Sequence, residues 1–359
     1  MRIRMRDVAA MERGASLLGS GGGGDTGTAA TLLRDRLATG RDMTVTPVGE
    51  LPAEARVVPV GVVGATAVFG EKLPGGSEFH AAVAAIERWA GTPADALVSI
   101  EVGGLNGLMP LVAACDLDLP AVDADLSGRG VPRLDQLSVA AVGRGLTPAA
   151  LAEPSGQVLV LADGAPADIE RTARTFVTSA GGWAALALAP IPAGQLWGCA
   201  VVGSVTGALE LGRYALSTGQ QPDATSLADA TGGRVLALGQ VVEVSRRIGP
   251  GQHGRAGFGR GSVTVEDRAT GSLLRLETEN EYLLALRDGA VVASTPDVLA
   301  VLDRRTCVPI SCEGIRTGVE AAVLQLGIAD FWTDPHRLPV LAPRAFDIDS
   351  DPVLLAAGG

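Results

Sequence analysis

Four short segments carry the residue types that could do chemistry. The first is Ala94-Asp-Ala-Leu-Val-Ser-Ile-Glu101, an apolar run that ends on a carboxylate and continues as Val-Gly-Gly-Leu-Asn106. A carboxylate at the end of a buried strand is partly desolvated, which raises its basicity and suits it to take a proton from water. Gly103 and Gly104 remove side chains in front of it. Asn106 either caps the next helix or turns its amide toward the same place. The second segment is Pro120-Ala-Val-Asp-Ala-Asp-Leu-Ser-Gly-Arg129. Asp123 and Asp125 alternate, so both point to one side of an extended chain. Two like charges at that spacing call for a shared proton or a cation between them. Arg129, Lys72 and a bound metal are three ways to supply it.

The third segment is Gly64-Ala-Thr-Ala-Val-Phe-Gly-Glu71-Lys72. Lys72 is the single lysine among 29 basic residues. An ammonium can lose its proton or act as a compact point charge, which a guanidinium does not do as readily. Coding bias with one surviving lysine accounts for the same count. Glu78 and His80 follow at the start of the next helix. The fourth segment is the glycine run at 19–24, followed by Asp25 and Thr26. It contains G-x-G-x-x-G, but any glycine run does, and it follows a helical pattern instead of a strand, so the dinucleotide context is missing. Gly21, Gly22 and Gly23, with Asp25, lie before a helix N-terminus, where backbone amides can hold a carbonyl or an anion.

These segments need a frame. Apolar residues at helical spacing predict helices at 5–18, 28–38, 77–91, 106–116 and 166–179. Strands are expected near 56–68, 94–101, 120–125, 157–162 and 183–189. That alternation is the pattern of an α/β domain with a mainly parallel sheet and crossover helices. Ligands in such sheets bind beyond the carboxyl ends of the strands. Glu71 and Lys72, Glu101, and Asp123 with Asp125 are therefore expected to converge on one rim. After about residue 192 the pattern changes. A long small-residue helix is expected over 193–218 and a short one near 222–231. Seven strands then follow, at 239–246, 262–267, 272–278, 281–287, 290–294, 298–303 and 319–324, with hairpin signals at Arg287-Asp-Gly289 and Arg268-Ala-Thr-Gly271. The chain thus divides into an α/β domain, 1–190, and a β-rich α+β domain with a helix layer, 191–359. Asn280 and Glu281, in the polar patch Glu277–Tyr282, are placed to complete a pocket where the domains meet. His253 falls in a glycine-rich loop, and a loose tail is expected after about 350.

Composition narrows the function. The chain has 359 residues, enough for two cores. Hydrophobic residues are 47% but aromatics only 3%, so the cores are built from Ala, Val and Leu. A net charge of -11 argues against nucleic acid and anionic membranes as partners. No apolar run is long enough to span a bilayer, and the N-terminus is not a secretory signal. Cys115, Cys199, Cys307 and Cys312 lack metal-like spacing, which fits a reducing, cytoplasmic setting. With only three histidines, a multi-histidine metal site is almost excluded.

Taken together, Gly19–Asp25, Glu71-Lys72, Glu101-Val-Gly-Gly-Leu-Asn106 and Pro120–Arg129 resemble the N-terminal domain of the S-methyl-thiohydantoin desulfurase family. Glu279-Asn-Glu-Tyr-Leu283, Thr295-Pro-Asp297 and Pro343-Arg-Ala-Phe346 resemble its C-terminal domain. The likeness is collinear over nearly the whole chain. Two positions depart from it. The family's Ala-Phe-Pro-Glu after the arginine is here Gly130-Val-Pro-Arg133, and its Gln-Asn-Glu-Asn is here Glu279-Asn-Glu-Tyr282. An arginine in place of the acid removes the carboxylate chemistry that position would have offered, and points to a divergent substrate.

The resemblance implies hydrolytic attack on a hydantoin-like five-membered ring, with methanethiol expelled in the named reaction. The substrate is then a small cyclic molecule, and a homo-oligomer is expected. Water attacks a C=N or C=O carbon, with Glu101 or Asp123 as general base and Lys72 or Arg129 stabilising negative charge on the ring. The substrate is held by the Gly21–Gly23 amides, Asp25, Glu71, Asn106, Asp125, Asn280 and Glu281. No cofactor is demanded. In a metal-dependent version, a divalent ion held by Glu101, Asp123, Asp125 and His80 activates the water. Two other readings use the same residues: a non-catalytic ligand-binding subunit of a hydantoinase-type complex, and a ring-closing or isomerising enzyme.

Overall fold

The computed structural model describes residues 1–38, 43–217, 223–247 and 259–355. The first domain holds strands β1 (Arg2–Ile3), β2 (Met43–Thr46), β3 (Arg56–Gly64), β4 (Ala96–Ser99), β5 (Ala121–Asp125), β6 (Ala149–Ala152), β7 (Val158–Leu161) and β8 (Trp183–Ala187). Their spatial order is β1-β2-β5-β4-β3-β8-β6-β7. The core of this sheet, β2-β5-β4-β3, is parallel. Its outer strands, β1 on one side and β8, β6 and β7 on the other, join antiparallel. Parallel strands are buried on both faces, which is why β3, β4 and β5 read as near-continuous runs of Val, Ala and Leu.

Helices cover both faces. On one lie α1 (Val8–Leu18), α2 (Thr26–Ala38), α4 (Glu78–Ala90) and α5 (Met109–Leu117), with Met11, Leu33, Ile86 and Val112 buried against the sheet. On the other lies α7 (Pro166–Ser179), which buries Ile169, Ala173 and Val177. The short α3 (Thr66–Glu71) follows β3, and α6 (Ser138–Ala141) follows a loop after β5.

The helix expected over 193–218 is interrupted. It appears as α8 (Leu196–Cys199) and α9 (Ser204–Ser217). Between them β10 (Val201–Val202) pairs antiparallel with β5, and Gly203 turns at φ 81. β9 (Ile191–Pro192) pairs with β3. Pairing with β5 outweighs helix propensity at 201–202, and a left-handed glycine makes the turn at 203 without strain.

The second domain is one antiparallel sheet. Its strands are β11 (Arg234–Arg247), β12 (Arg260–Asp267), β13 (Leu273–Glu279), β14 (Glu281–Arg287), β15 (Ala290–Ser294), β16 (Val298–Asp303) and β17 (Glu320–Leu326). They order as β15-β14-β13-β12-β11-β17-β16. One face buries Val263, Leu276 and Tyr282. The other packs against α10 (Ala224–Ala230) and α9. Of the loose tail expected after about 350, residues 351–355 are pinned, and 356–359 lie outside the described residues. Val353 N donates to Ser294 Oγ at 2.8 Å and Leu355 N to Asp297 Oδ2 at 2.6 Å. His253 lies outside the described residues. Among the described residues, no helix is long and apolar enough to cross a membrane.

Candidate active site

β4 delivers Glu101 as its pattern predicts. The carboxylate is 6% exposed and sits just past the carboxyl end of the parallel core. Asn106 Nδ2 donates to Glu101 Oε1 at 2.7 Å, and Val131 N donates to Oε2 at 2.7 Å. Burial raises its pKa to about 7, against these two donors, and the neighbouring Asp125 adds to the rise. A base poised near neutrality is what proton abstraction from water requires.

Asn106 does not point into open space. Its Oδ1 accepts from Val62 N at 2.6 Å, and its Nδ2 also donates to Val62 O at 3.0 Å. It clamps Glu101 to β3, a positioning role in place of the expected substrate contact. Gly103 and Gly104 serve the chain instead of a ligand. A Cβ at Gly103 would fall 2.2 Å from Gly130 N.

The two aspartates of β5 have separate duties. Asp125 is wholly buried, and its Oδ2 accepts from Val102 N, Ser127 N and Gly128 N at 2.8, 3.1 and 2.7 Å. It ties the loop after β4 to the loop after β5. Burial raises its pKa to about 7, offset by those amides. Its Oδ1 has no partner; the Ser204 hydroxyl is near enough to favour the charged form but misses hydrogen-bonding geometry. Asp123 instead caps α9. Its Oδ1 accepts from Thr206 N at 2.9 Å and its Oδ2 from Thr206 Oγ1 at 2.5 Å. A carboxylate at a helix N-terminus is satisfied there.

Arg129 is buried and spans the domains. Its Nη1 donates to Pro296 O and Asp297 O, both at 2.7 Å, and to Thr295 Oγ1 at 3.2 Å, while Nε donates to Gly130 O. Burial lowers its pKa to about 10, and the charges of Glu281, Asp297 and Glu101 oppose the fall. Glu281 begins β14 and has no exposure. Burial lifts it to about 8, with Arg129 resisting and Glu101 and Glu279 adding to the lift. Burial thus favours the neutral form of Glu281. Its Oε1 accepts from Asn280 Nδ2 at 2.6 Å, and its Oε2 has no partner.

The expected convergence fails at Lys72. That side chain contacts Glu153 Oε2 at 3.3 Å and Ala180 O at 2.7 Å. Trp183 Nε1 donates to Lys72 O, which holds the end of α3 against β8. Glu71 is exposed at the last turn of α3, and His80 is exposed on α4. None of the three borders the cleft that contains Glu101. The proposed metal ligands therefore do not assemble. Glu101 and Asp125 spend oxygens on backbone and amide donors, Asp123 on Thr206, and His80 faces solvent. No group of three or more His, Cys, Asp or Glu among the described residues is arranged to hold an ion.

The Glu101 cleft measures about 500 Å³ counting its open mouth. Gly23, Val62, Asn106 and Asn280 line it, and so do two cations that the sequence did not nominate for the site, Arg133 and Arg174. Arg133 Nε donates to Asp135 Oδ1 at 3.1 Å, and its guanidinium lies 5.5 Å from the Phe346 ring. Arg174 Nε donates to Glu170 Oε1 at 2.6 Å, and its Nη2 to Pro132 O at 2.7 Å. In sequence, Glu170 and Arg174 read as an ordinary surface i,i+4 pair. The only hint was that α7 begins just past a strand.

A second cleft, about 840 Å³ counting its mouth, lies between the glycine run and the loop at 309–313. Gly21, Gly22, Gly24 and Asp25 line it, and Asn280 borders both clefts. Gly22 is a close approach: a Cβ there would lie 2.4 Å from Glu281 Oε1. The Gly23 and Gly24 N–H groups donate to nothing among the described residues.

No curated protein matches the chain. Among solved structures, the X-ray crystal structure of a protein from Chromobacterium violaceum superposes with a TM-score of 0.82 at 26% identity, covering 98% of this chain and 100% of that one. The model of the S-Me-THD-like N-terminal domain matches residues 6–163, and that of the S-Me-THD-like C-terminal domain matches 165–354. The first sheet, by contrast, runs on through β8, β9 and β10 beyond that boundary. Matched by both domain models over nearly its full length, the chain belongs to the S-Me-THD-like family.

Proposed function

We propose that this protein is a hydrolase that attacks a hydantoin-like five-membered ring, with an S-methyl-thiohydantoin as the fitting substrate. The observation that carries the reading is Glu101: a buried carboxylate poised near pH 7 on the wall of a cleft between two domains. Glu101 takes a proton from water as the oxygen adds to the C=N carbon that bears the S-methyl group. The proton left on the added hydroxyl passes to the ring nitrogen, the ring C=O forms as the C–S bond breaks, and methanethiolate leaves with the proton that Glu101 had taken. Arg133 and Arg174, on the same wall, balance the negative charge that builds on the ring nitrogen. Asn106 and the Val131 amide keep Glu101 aimed. Asp125 and Arg129 hold the loops that shape the cleft.

Purified protein is incubated with an S-methyl-thiohydantoin, and methanethiol and the hydantoin product are quantified. Stoichiometric formation of both, lost in Glu101→Gln with the melting curve unchanged, supports the reading. Full turnover by that variant removes Glu101 from the chemistry.

A further inference from the structure

Two clefts meet at one residue. Asn280 borders the cleft of Glu101 and the cleft between the glycine run and the 309–313 loop. It adopts φ 64, a left-handed conformation that costs energy for any residue with a Cβ, though least for Asn. Its amide is not free to swing. Nδ2 is held by Glu281, and Glu281 is itself wedged against Gly22 with no exposure. Asn280 Oδ1 accepts nothing among the described residues and stays available to a ligand. The glycine run is shared in the same way. Gly23 borders the first cleft, and Gly21, Gly22 and Gly24 border the second.

We propose that the clefts are two subsites for one substrate: the ring lies against Glu101, and the ring's carbon substituent passes Asn280 into the second cleft. This rests on the hydrolase reading above and adds the substrate class to it. The second cleft has apolar walls in Pro309 and Ile310 and small hydroxyl groups in Ser16 and Ser311. Among the described residues its charged side chains are Asp25 and Glu313, and no Lys, Arg or His of those residues stands on its walls. A carboxylate-bearing substituent meets like charge there, whereas a neutral aliphatic one buries its surface. The enzyme therefore prefers rings with a sizeable neutral substituent and discriminates against acidic ones. Asn280 Oδ1 accepts a ring N–H at the junction and fixes which edge of the ring faces Glu101.

The test compares three S-methyl-thiohydantoins: unsubstituted, isobutyl-substituted and carboxymethyl-substituted at the ring carbon. Wild-type kcat/KM should favour isobutyl over the unsubstituted ring by at least about tenfold, with carboxymethyl poorest. Ser16→Phe and Ser311→Phe, made separately, fill the second cleft from opposite walls. Each should collapse the isobutyl preference toward unity while the unsubstituted ring is still hydrolysed. An unaltered preference in both variants, or an equal loss on both rings with folding intact, overturns the subsite assignment and leaves the hydrolase reading standing. No turnover of any ring by wild type sinks the hydrolase reading, and the subsite assignment with it.

Discussion

Glu101 and Glu153 are both nearly buried glutamates that follow strands of the same sheet, and their surroundings drive them apart. Burial would raise Glu153 too, but its carboxylate accepts from Ser155 N, Ser155 Oγ and Gln157 N and pairs with Lys72. Those partners outweigh burial and hold it at about 2. Glu101 has two neutral donors and another buried acid nearby, so burial wins and the carboxyl sits near 7. The lesson is that burial alone does not make a base. What decides is depth and donors together: Glu101 lies deep in the fold with two donors, whereas Glu153, though covered, lies near the surface and has more donors and a cation. Lys72, which looked distinctive because it has no other lysine for company, completes the inert carboxylate and leaves the reactive one alone.

Glu101→Gln breaks this contrast most directly. Turnover should fall by about 10²–10⁴-fold, the usual share of a general base, in a methanethiol-release assay. The matching change on the other side, Glu153→Gln, should leave kcat within a small factor.

Arg129→Met comes next, read as stability. It removes the cation between Glu101 and Glu281 and strands the carbonyls of Pro296 and Asp297. Deleting one partner of a buried charge cluster costs about 3–5 kcal/mol, measurable by urea unfolding. A loss below about 1 kcal/mol, the usual worth of a surface ion pair, would mean the cluster is wetter than its burial implies.

The pH dependence should follow Glu101. Its folded pKa of about 7 lies above the ordinary 4.5, so kcat/KM should climb as pH rises through 7 and then level off. Glu281 provides the stability counterpart. Its folded pKa of about 8 also exceeds 4.5, so the fold favours the neutral form. Between pH 4.5 and 8 the unfolded chain ionises first, and stability drains away with rising pH. Glu281→Gln should therefore raise the melting temperature, with a gain that is absent near pH 4 and full above pH 8. A gain that does not vary with pH would show that packing, and not charge, is responsible.

The smallest effect belongs to Lys72→Met. The ammonium is one-third exposed, and such pairs contribute about 0–1 kcal/mol. Turnover should hold within about twofold, since electrostatic help of this kind needs a group aimed at the reacting atoms. A larger loss would restore Lys72 to the site.

Much of this was legible beforehand. The strand that leads to Glu101 follows from a pattern a few residues long; that Arg129, Asn280 and Glu281 come near it depends on how distant segments pack. Asp123 and Asp125 both lie on β5, as the sequence suggested, but alternation says nothing of what each side chain meets. Thr206, 83 residues away, claims one, and three loop amides claim the other. Arg174 was missed because an i,i+4 pair looks the same whether its far side faces water or a cleft.

Residue order by itself determined the α/β and β-rich halves, the helix and strand periods, and the glycine run that lets Glu281 come close, because these depend on local propensity and spacing. Only the tertiary structure decided which acids are starved of donors, which cations reach the cleft, and that Asn280 stands between two cavities. Those properties are set by how many polar groups from distant segments arrive at the same buried point.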